Sequence, residues 1–269
     1  MSKAAISIGL AALLAHGAQA LAADILPPAP SLDSPALRGR FDGDSGAYLR
    51  ADAGFGQLRA RNTASTFATS LPGFQQDATR IDRSTLLGLG AGYQFNEFVR
   101  ADVTGEYRGS ASYGARASYV DAASCGAARC AEAYAGAFRS MVLMGNVYGQ
   151  IGSWYDVTPF VGMGLGLART SFATLTLAPG NGHGAGLAPE ASQIRPAFAL
   201  MAGGAWDLSG RIKVEAGYRY MTLGSVRSGA MSCTSPAGPC GGQIQKIGLA
   251  SHDLRIGLRY GLDSGTFLP

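Results

Sequence analysis

The sequence predicts an all-β protein: eight antiparallel strands closed into an up-and-down barrel that spans a membrane. Three observations carry this expectation. Apolar and polar side chains alternate along several separate stretches, and successive side chains of a strand face opposite sides. The connections between these stretches alternate between very short and very long. Beyond the first 22 residues no apolar run approaches the ~20 residues that a membrane helix needs, although mean hydropathy is near neutral at +0.10. A barrel conceals its membrane signal by using every second residue, so lipid outside and a polar interior fit all three.

The first residues read as a secretory signal. Lys3 supplies the positive end and residues 6–15 the apolar stretch. Ala18-Gln19-Ala20 or Ala20-Leu21-Ala22 supplies the small-residue cleavage site, with cleavage expected after Ala22. Residues 23–45 hold Pro27, Pro28, Pro30 and Pro35 and read as a loosely ordered periplasmic lead-in. The barrel is expected over 46–262 and a short tail over 263–269. Loss of Lys3 leaves 21 − 18 = +3 charges, too mild to argue for nucleic acid, which export disfavours in any case.

The first strand is expected at 47–57, with Leu49, Ala51, Ala53 and Phe55 on one face and Arg50 and Asp52 on the other. After a long polar segment (58–83), strand two at 84–95 alternates Leu87, Leu89, Ala91, Tyr93 and Phe95 with Gly88, Gly90 and Gly92. Asn96-Glu97 makes a tight turn into strand three at 98–108, where Val99, Ala101, Val103 and Tyr107 oppose Arg100, Asp102, Thr104 and Glu106. A second long segment (109–135) precedes strand four, at 137–151. Strand five at 157–167 sets Val161, Met163, Leu165 and Leu167 against Gly162, Gly164 and Gly166. A third long segment (168–194) leads to strand six at 195–207, with Phe198, Leu200, Ala202 and Trp206 on its apolar face. A short turn introduces strand seven, Arg211 to Tyr220, the clearest alternation in the chain. The fourth long segment (222–250) precedes strand eight at 251–262, which sets Leu254, Ile256, Leu258 and Tyr260 against Asp253, Arg255, Gly257 and Arg259. The strands number eight, even as single-chain barrels of this kind require, and each reaches the ~9–11 residues of a tilted crossing. Three short connections fall on one side and four long ones on the other, as expected for periplasmic turns and extracellular loops.

Four stretches carry a family resemblance: the Ala-Ala-Asp-Ile-Leu-Pro-Pro lead-in, Pro159 through Gly166, Gly217-Tyr218-Arg219-Tyr220, and Ser251 through Tyr260. With them the chain resembles the small outer-membrane proteins of alphaproteobacteria, porin-family barrels of surface-antigen type with an OmpA-like eight-stranded architecture. The resemblance covers nearly the whole mature chain. It implies residence in the outer membrane of a Gram-negative bacterium, contact with membrane lipid and lipopolysaccharide, and insertion by the barrel-assembly machinery. It does not choose among adhesins, structural barrels, pores and enzymes, which share the fold. Such barrels usually end on an aromatic residue, whereas here the chain continues past Tyr260 to Pro269.

An eight-stranded barrel is only wide enough to be filled by its own side chains. The expected inward set is Arg50, Asp52, Arg100, Asp102, Glu106, Lys213, Glu215, Arg219, Asp253, Arg255 and Arg259, interleaved in sign. An Arg–carboxylate network should result, since the guanidinium fork meets carboxylates bidentately, with the strand glycines leaving room for the long side chains. The bland expectation is a filled structural lumen. A narrow, anion-preferring pore and a buried proton relay are the sharper alternatives.

Tyr93, Phe95, Phe98, Trp154, Tyr155, Trp206 and Tyr260 cluster beside the short turns and are expected to form an interfacial aromatic girdle. The four cysteines of an exported chain suggest disulfides, most simply Cys125 with Cys130 and Cys233 with Cys240, each pair inside one long segment. A zinc site lacks both the ligand spacing and a nearby histidine. The Gly-x-Gly runs recur inside strands with no helix after them, unlike a phosphate-binding loop. His252 and Asp253 face opposite sides of a strand and His183 sits in a Gly/Ala-rich segment, so no catalytic pair and no cofactor are expected. The expected role is structural or surface-exposed, serving envelope integrity or contact with an extracellular ligand through the loops; a narrow porin and a lipid-modifying outer-membrane enzyme are the alternatives.

Overall fold

A computed structural model describes residues 45–69, 71–153, 155–179, 185–233 and 241–262. The expected signal at 1–22, the expected lead-in at 23–45 except Ser45, Trp154, His183, Cys240 and the tail at 263–269 lie outside the described residues. Eight long strands carry the fold: β1 (Gly46–Ser65), β3 (Arg83–Gln94), β4 (Val99–Tyr119), β5 (Cys130–Gln150), β6 (Val157–Phe172), β9 (Ala191–Ser209), β10 (Ile212–Arg227) and β12 (Gln245–Gly261). Four shorter strands, β2 (Gln75–Ile81), β7 (Leu175–Pro179), β8 (Gly186–Ala188) and β11 (Ser232–Cys233), lie between them in sequence.

Each long strand pairs antiparallel with the next in chain order, and β12 pairs back onto β1, which closes the ring. Following paired residues from Leu49 through Ala91, Val103, Gly145, Leu165, Phe198, Thr222 and Ala250 returns to β1 at Arg59, a stagger of 59 − 49 = 10 residues. Over eight strands, with about 3.3 Å per residue and about 4.8 Å between strands, that stagger tilts the strands by roughly 40°. Closure leaves no unpaired edge in the ring, the condition for a sheet to sit in hydrocarbon.

The exterior of the ring is apolar. Leu49, Phe55, Leu89, Val103, Leu143, Met163, Leu200 and Ile256 all point outward and are exposed, Leu89 by 70%. The side chains that alternate with them point inward and are buried, among them Arg50, Asp102 and Thr104 but also Val142, Met144 and Met201.

The long segments are not loops over most of their length. β4 runs to Tyr119 and β5 begins at Cys130, so the expected irregular stretch 109–135 shrinks to a tip of about ten residues around the short helix Ala122–Cys125. β1, β6, β10 and β12 likewise run 5 to 8 residues past their expected outer ends, and β2 and β7 pair with the extended parts of β4 and β5. The reason is visible in the register. Pairing shifts between Arg108 and Ala111, between Thr222 and Gly224 and between Ala60 and Thr63. Bulges at these points swap which residues face inward, so a fixed two-residue period breaks while the strand continues.

Candidate functional site: the filled lumen

The lumen is built in two layers. Toward the turn end, inward residues of β1, β4, β10 and β12 are ionic. Arg50 binds Asp52 and Asp102, each at 2.7 Å, and Arg100 and Arg259 flank Glu215 at 3.1 and 3.4 Å. Above this group Arg219 and Arg108 clamp both Glu106 and Asp253: Arg219 lies 2.7 Å from each, Arg108 3.0 Å from Glu106 and 2.6 Å from Asp253. Arg255 joins the groups, 3.1 Å from Asp52 and 3.6 Å from Glu106. Six arginines thus meet five carboxylates, all nearly or fully removed from solvent. Charges so buried persist only when paired, since the desolvation of each ion is otherwise uncompensated.

Neutral groups complete the layer. The Asn146 amide donates to Asp102 at 2.8 Å, Tyr48 donates to the same carboxylate at 3.1 Å, and Arg259 donates to Gln94 at 2.8 Å. The Arg100 guanidinium stacks 4.0 Å from the Tyr148 ring centre and 5.0 Å from that of Phe160, which supplies a favourable surface where carboxylates are outnumbered. Room for these side chains comes from glycine. A Cβ on Gly90 would stand 2.7 Å from Thr104 Cγ2, and one on Gly92 would stand 2.6 Å from both Asp102 Cβ and Tyr48 Cζ.

The second layer, toward the loop end, is apolar and corrects the expectation of a polar interior throughout. Phe138 stacks on Phe172 with ring centres 4.4 Å apart, and Tyr113 meets both edge-on at 5.5 and 5.4 Å. Leu58, Val142, Met221, Leu223, Val226 and Leu249 pack around them, fully buried, with Ala111, Ala115 and Ala117 where space narrows. A polar seam lies higher in the same interior. Tyr134 donates to Glu132 at 2.5 Å and accepts from Gln243 at 3.0 Å, while Tyr113 donates to Gln245 at 3.1 Å. Burial first, then the Glu132 carboxylate, pushes the Tyr134 phenol well above the ordinary tyrosine range.

Ten of the eleven residues expected in the lumen network meet there. Lys213 stands instead at the turn-end rim, 24% exposed and 3.1 Å from Asp207. Arg108 belongs to the network although sequence reasoning passed over it; the alternation that picks out Arg100 through Glu106 reaches it two residues later. Tyr93, Phe95, Phe98, Tyr155, Trp206 and Tyr260 are exposed beside the turns. Cys125 is bonded to Cys130 within the tip, and Cys233 is disulfide-bonded as well. His252 faces outward, 2.6 Å from the Tyr218 hydroxyl, on the opposite side of β12 from Asp253. Among the described residues no His/Cys/Asp/Glu group is arranged to hold a metal ion.

A closed eight-stranded ring with an apolar exterior, an ionic interior, short turns at one end and long connections at the other is an integral outer-membrane β-barrel. In such a barrel the turns face the periplasm and the loop end faces outward. No family model matches the chain. It is similar to an uncharacterized protein of Brucella suis, 26% identical over an alignment of 297 residues that covers 95% of this chain and 97% of the relative, and equally to one of Brucella melitensis. Among solved structures it is similar to Neisserial surface protein A (16% identity, 81% of this chain and 98% of that one, TM-score 0.45). It is likewise similar to OprG from Pseudomonas aeruginosa (10% identity, 82% and 99%, TM-score 0.47).

Proposed function

We propose that this barrel is a non-conducting, non-enzymatic component of the outer membrane, serving envelope integrity and presenting a strand-built cap to the outside. The observation that supports this reading is the double filling of the lumen: a bonded ionic layer below and a packed aromatic and aliphatic layer above. An ion crossing the barrel would have to separate Arg219 from Glu106 and Asp253 and then enter a layer with no charge to receive it. The extended β4–β5 hairpin, tied at its tip by a disulfide, supports the second half of the reading. It holds the tip residues at a fixed height above the membrane, as a surface for contact requires, where a mobile loop would lose more entropy on binding.

Planar-bilayer recording of the refolded, stringently purified protein tests the proposal. The expected outcome is a flat trace. Discrete open steps that scale with protein content would overturn it in favour of a narrow porin.

A further inference from the structure

Some exposed cations on the outer face have a carboxylate beside them: Arg80 lies 3.0 Å from Asp82 and Arg139 3.9 Å from Glu190. The outer end of the wall formed by the neighbouring strands β1, β12 and β10 gathers four cations. Arg59, Arg61, Lys246 and Arg227 all point outward and are exposed, and among the described residues none of them forms an ion pair with a carboxylate. Arg227 stands directly opposite Lys246 in the ladder, an arrangement of like charges that destabilises a strand pair unless an anion sits between them.

Immediately below these cations lies an aromatic rim. Arg61 donates to the Tyr220 hydroxyl at 2.7 Å, the Tyr220 and His252 rings are 5.2 Å apart, and His252 is hydrogen-bonded to Tyr218. Below the rim, exposed Leu254, Ile256 and Leu258 continue down the same wall toward the turns. A tyrosine and histidine rim marks headgroup depth, since amphipathic rings settle at the membrane–water boundary. Cations, rim and apolar wall therefore follow one another as the phosphate, sugar and acyl chains of an amphiphile would.

We infer that the outer rim of β1, β12 and β10 is a binding site for a phosphorylated glycolipid of the outer leaflet, its phosphate held between Arg227 and Lys246 with Arg59 and Arg61 alongside and its acyl chains lying on the wall below. Arginine suits the task because its planar donors meet phosphate oxygens two at a time. The site rests on the membrane placement of the barrel and is independent of whether the lumen conducts.

The test is native mass spectrometry of the full-length folded protein in detergent, titrated with diphosphoryl lipid A. One lipid should bind per barrel. The double variant Arg227→Gln/Lys246→Gln should weaken binding about tenfold or more, the loss of charged hydrogen bonds to one phosphate. Arg139→Gln, on the far wall beside Glu190, should leave binding unchanged, and dephosphorylated lipid A should bind the wild type as weakly as diphosphoryl lipid A binds the double variant. Heat-dependent gel migration verifies that each variant is folded; should the double variant fail to fold, Arg59→Gln/Arg61→Gln is read in its place. Unchanged affinity in the variant, or equal affinity for the dephosphorylated lipid, would overturn the assignment. Complete displacement by excess inorganic phosphate would identify a soluble-anion site and overturn it equally.

Discussion

Asp253 accepts from Arg108 through both of that residue's terminal nitrogens, from Arg219 through two more, and from Ser251. Its removal leaves two guanidinium groups facing each other in a site without solvent access. Asp253→Ala should therefore cost roughly 3–5 kcal/mol, the usual penalty for stranding a buried charge, read as a lowered urea midpoint of reversible unfolding in lipid vesicles. Lys213→Gln offers the contrast: its partner Asp207 is 47% exposed, and a solvated rim pair should cost less than about 1 kcal/mol. If the two variants shifted the midpoint equally, the network would be hydrated rather than sealed. Apart from Arg108, the residues of this network were legible in the sequence because each lies on the strand face opposite the apolar side chains that face lipid. Lys213 obeys the same phase and still misses the cluster, since alternation reports which face a residue occupies and not its depth along a tilted strand. Residue Lys213 lies one position into β10 from the turn, where the lumen opens.

At the scale of single elements, sequence reasoning placed the membrane-crossing halves of the strands and missed their outer continuations. Within the membrane one face must be apolar, so the period of two is strongly imposed. Above it both faces of β4 and β5 change character: the outside carries Arg116, Ser112 and Ala131, and the inside is narrowed by Ala111, Ala115 and Ala117. Small and polar residues in that mixture read as loop, and the bulge at 109–110 reverses the phase just where the contrast fades. Two predictions belong to these continuations. Closing the short loop between Cys125 and Cys130 restricts few residues, so Cys125→Ser/Cys130→Ser should cost about 2 kcal/mol at most and only locally. Hydrogen exchange should quicken over 118–131 while protection of the ring strands stays as it was. The polar seam responds to alkali. The Tyr134 phenol is raised by burial and by Glu132, and Tyr113 by burial, so the folded state holds these protons more tightly than the unfolded chain does. Their contribution is complete below the ordinary tyrosine value of about 10 and is lost as pH rises beyond it. Near-ultraviolet tyrosinate absorbance should show a late-titrating fraction, and Tyr134→Phe should remove part of it.

For the whole molecule, closure and filling are separate facts with separate consequences. The ring is complete whatever occupies its interior, because its stability in lipid comes from backbone pairing that lipid cannot compete for. Two chemically different plugs then stand in series along one axis. An ion meets bonded charges first and apolar packing second, so opening either layer alone leaves the other as a barrier. Phe138→Ala/Phe172→Ala removes two of the three rings of the Tyr113–Phe138–Phe172 cluster, and the cavity left behind is lined by Leu, Val and Met side chains that do not favour water. That variant should fold, with a lowered unfolding midpoint, and remain silent in a planar bilayer. Arg219→Ala/Glu106→Ala, which removes a matched pair from the lower layer, should be silent too. The four substitutions together should give measurable single-channel steps, with anions favoured because the five remaining arginines, Arg50, Arg100, Arg108, Arg255 and Arg259, exceed the four remaining carboxylates. Conductance from either pair alone would show that a single gate closes the lumen and that the other layer is permeable in the native protein. Silence of the fourfold variant, once its folding is verified by heat-dependent gel migration, would place the barrier in the eight-stranded ring itself, whose width the ten-residue stagger sets.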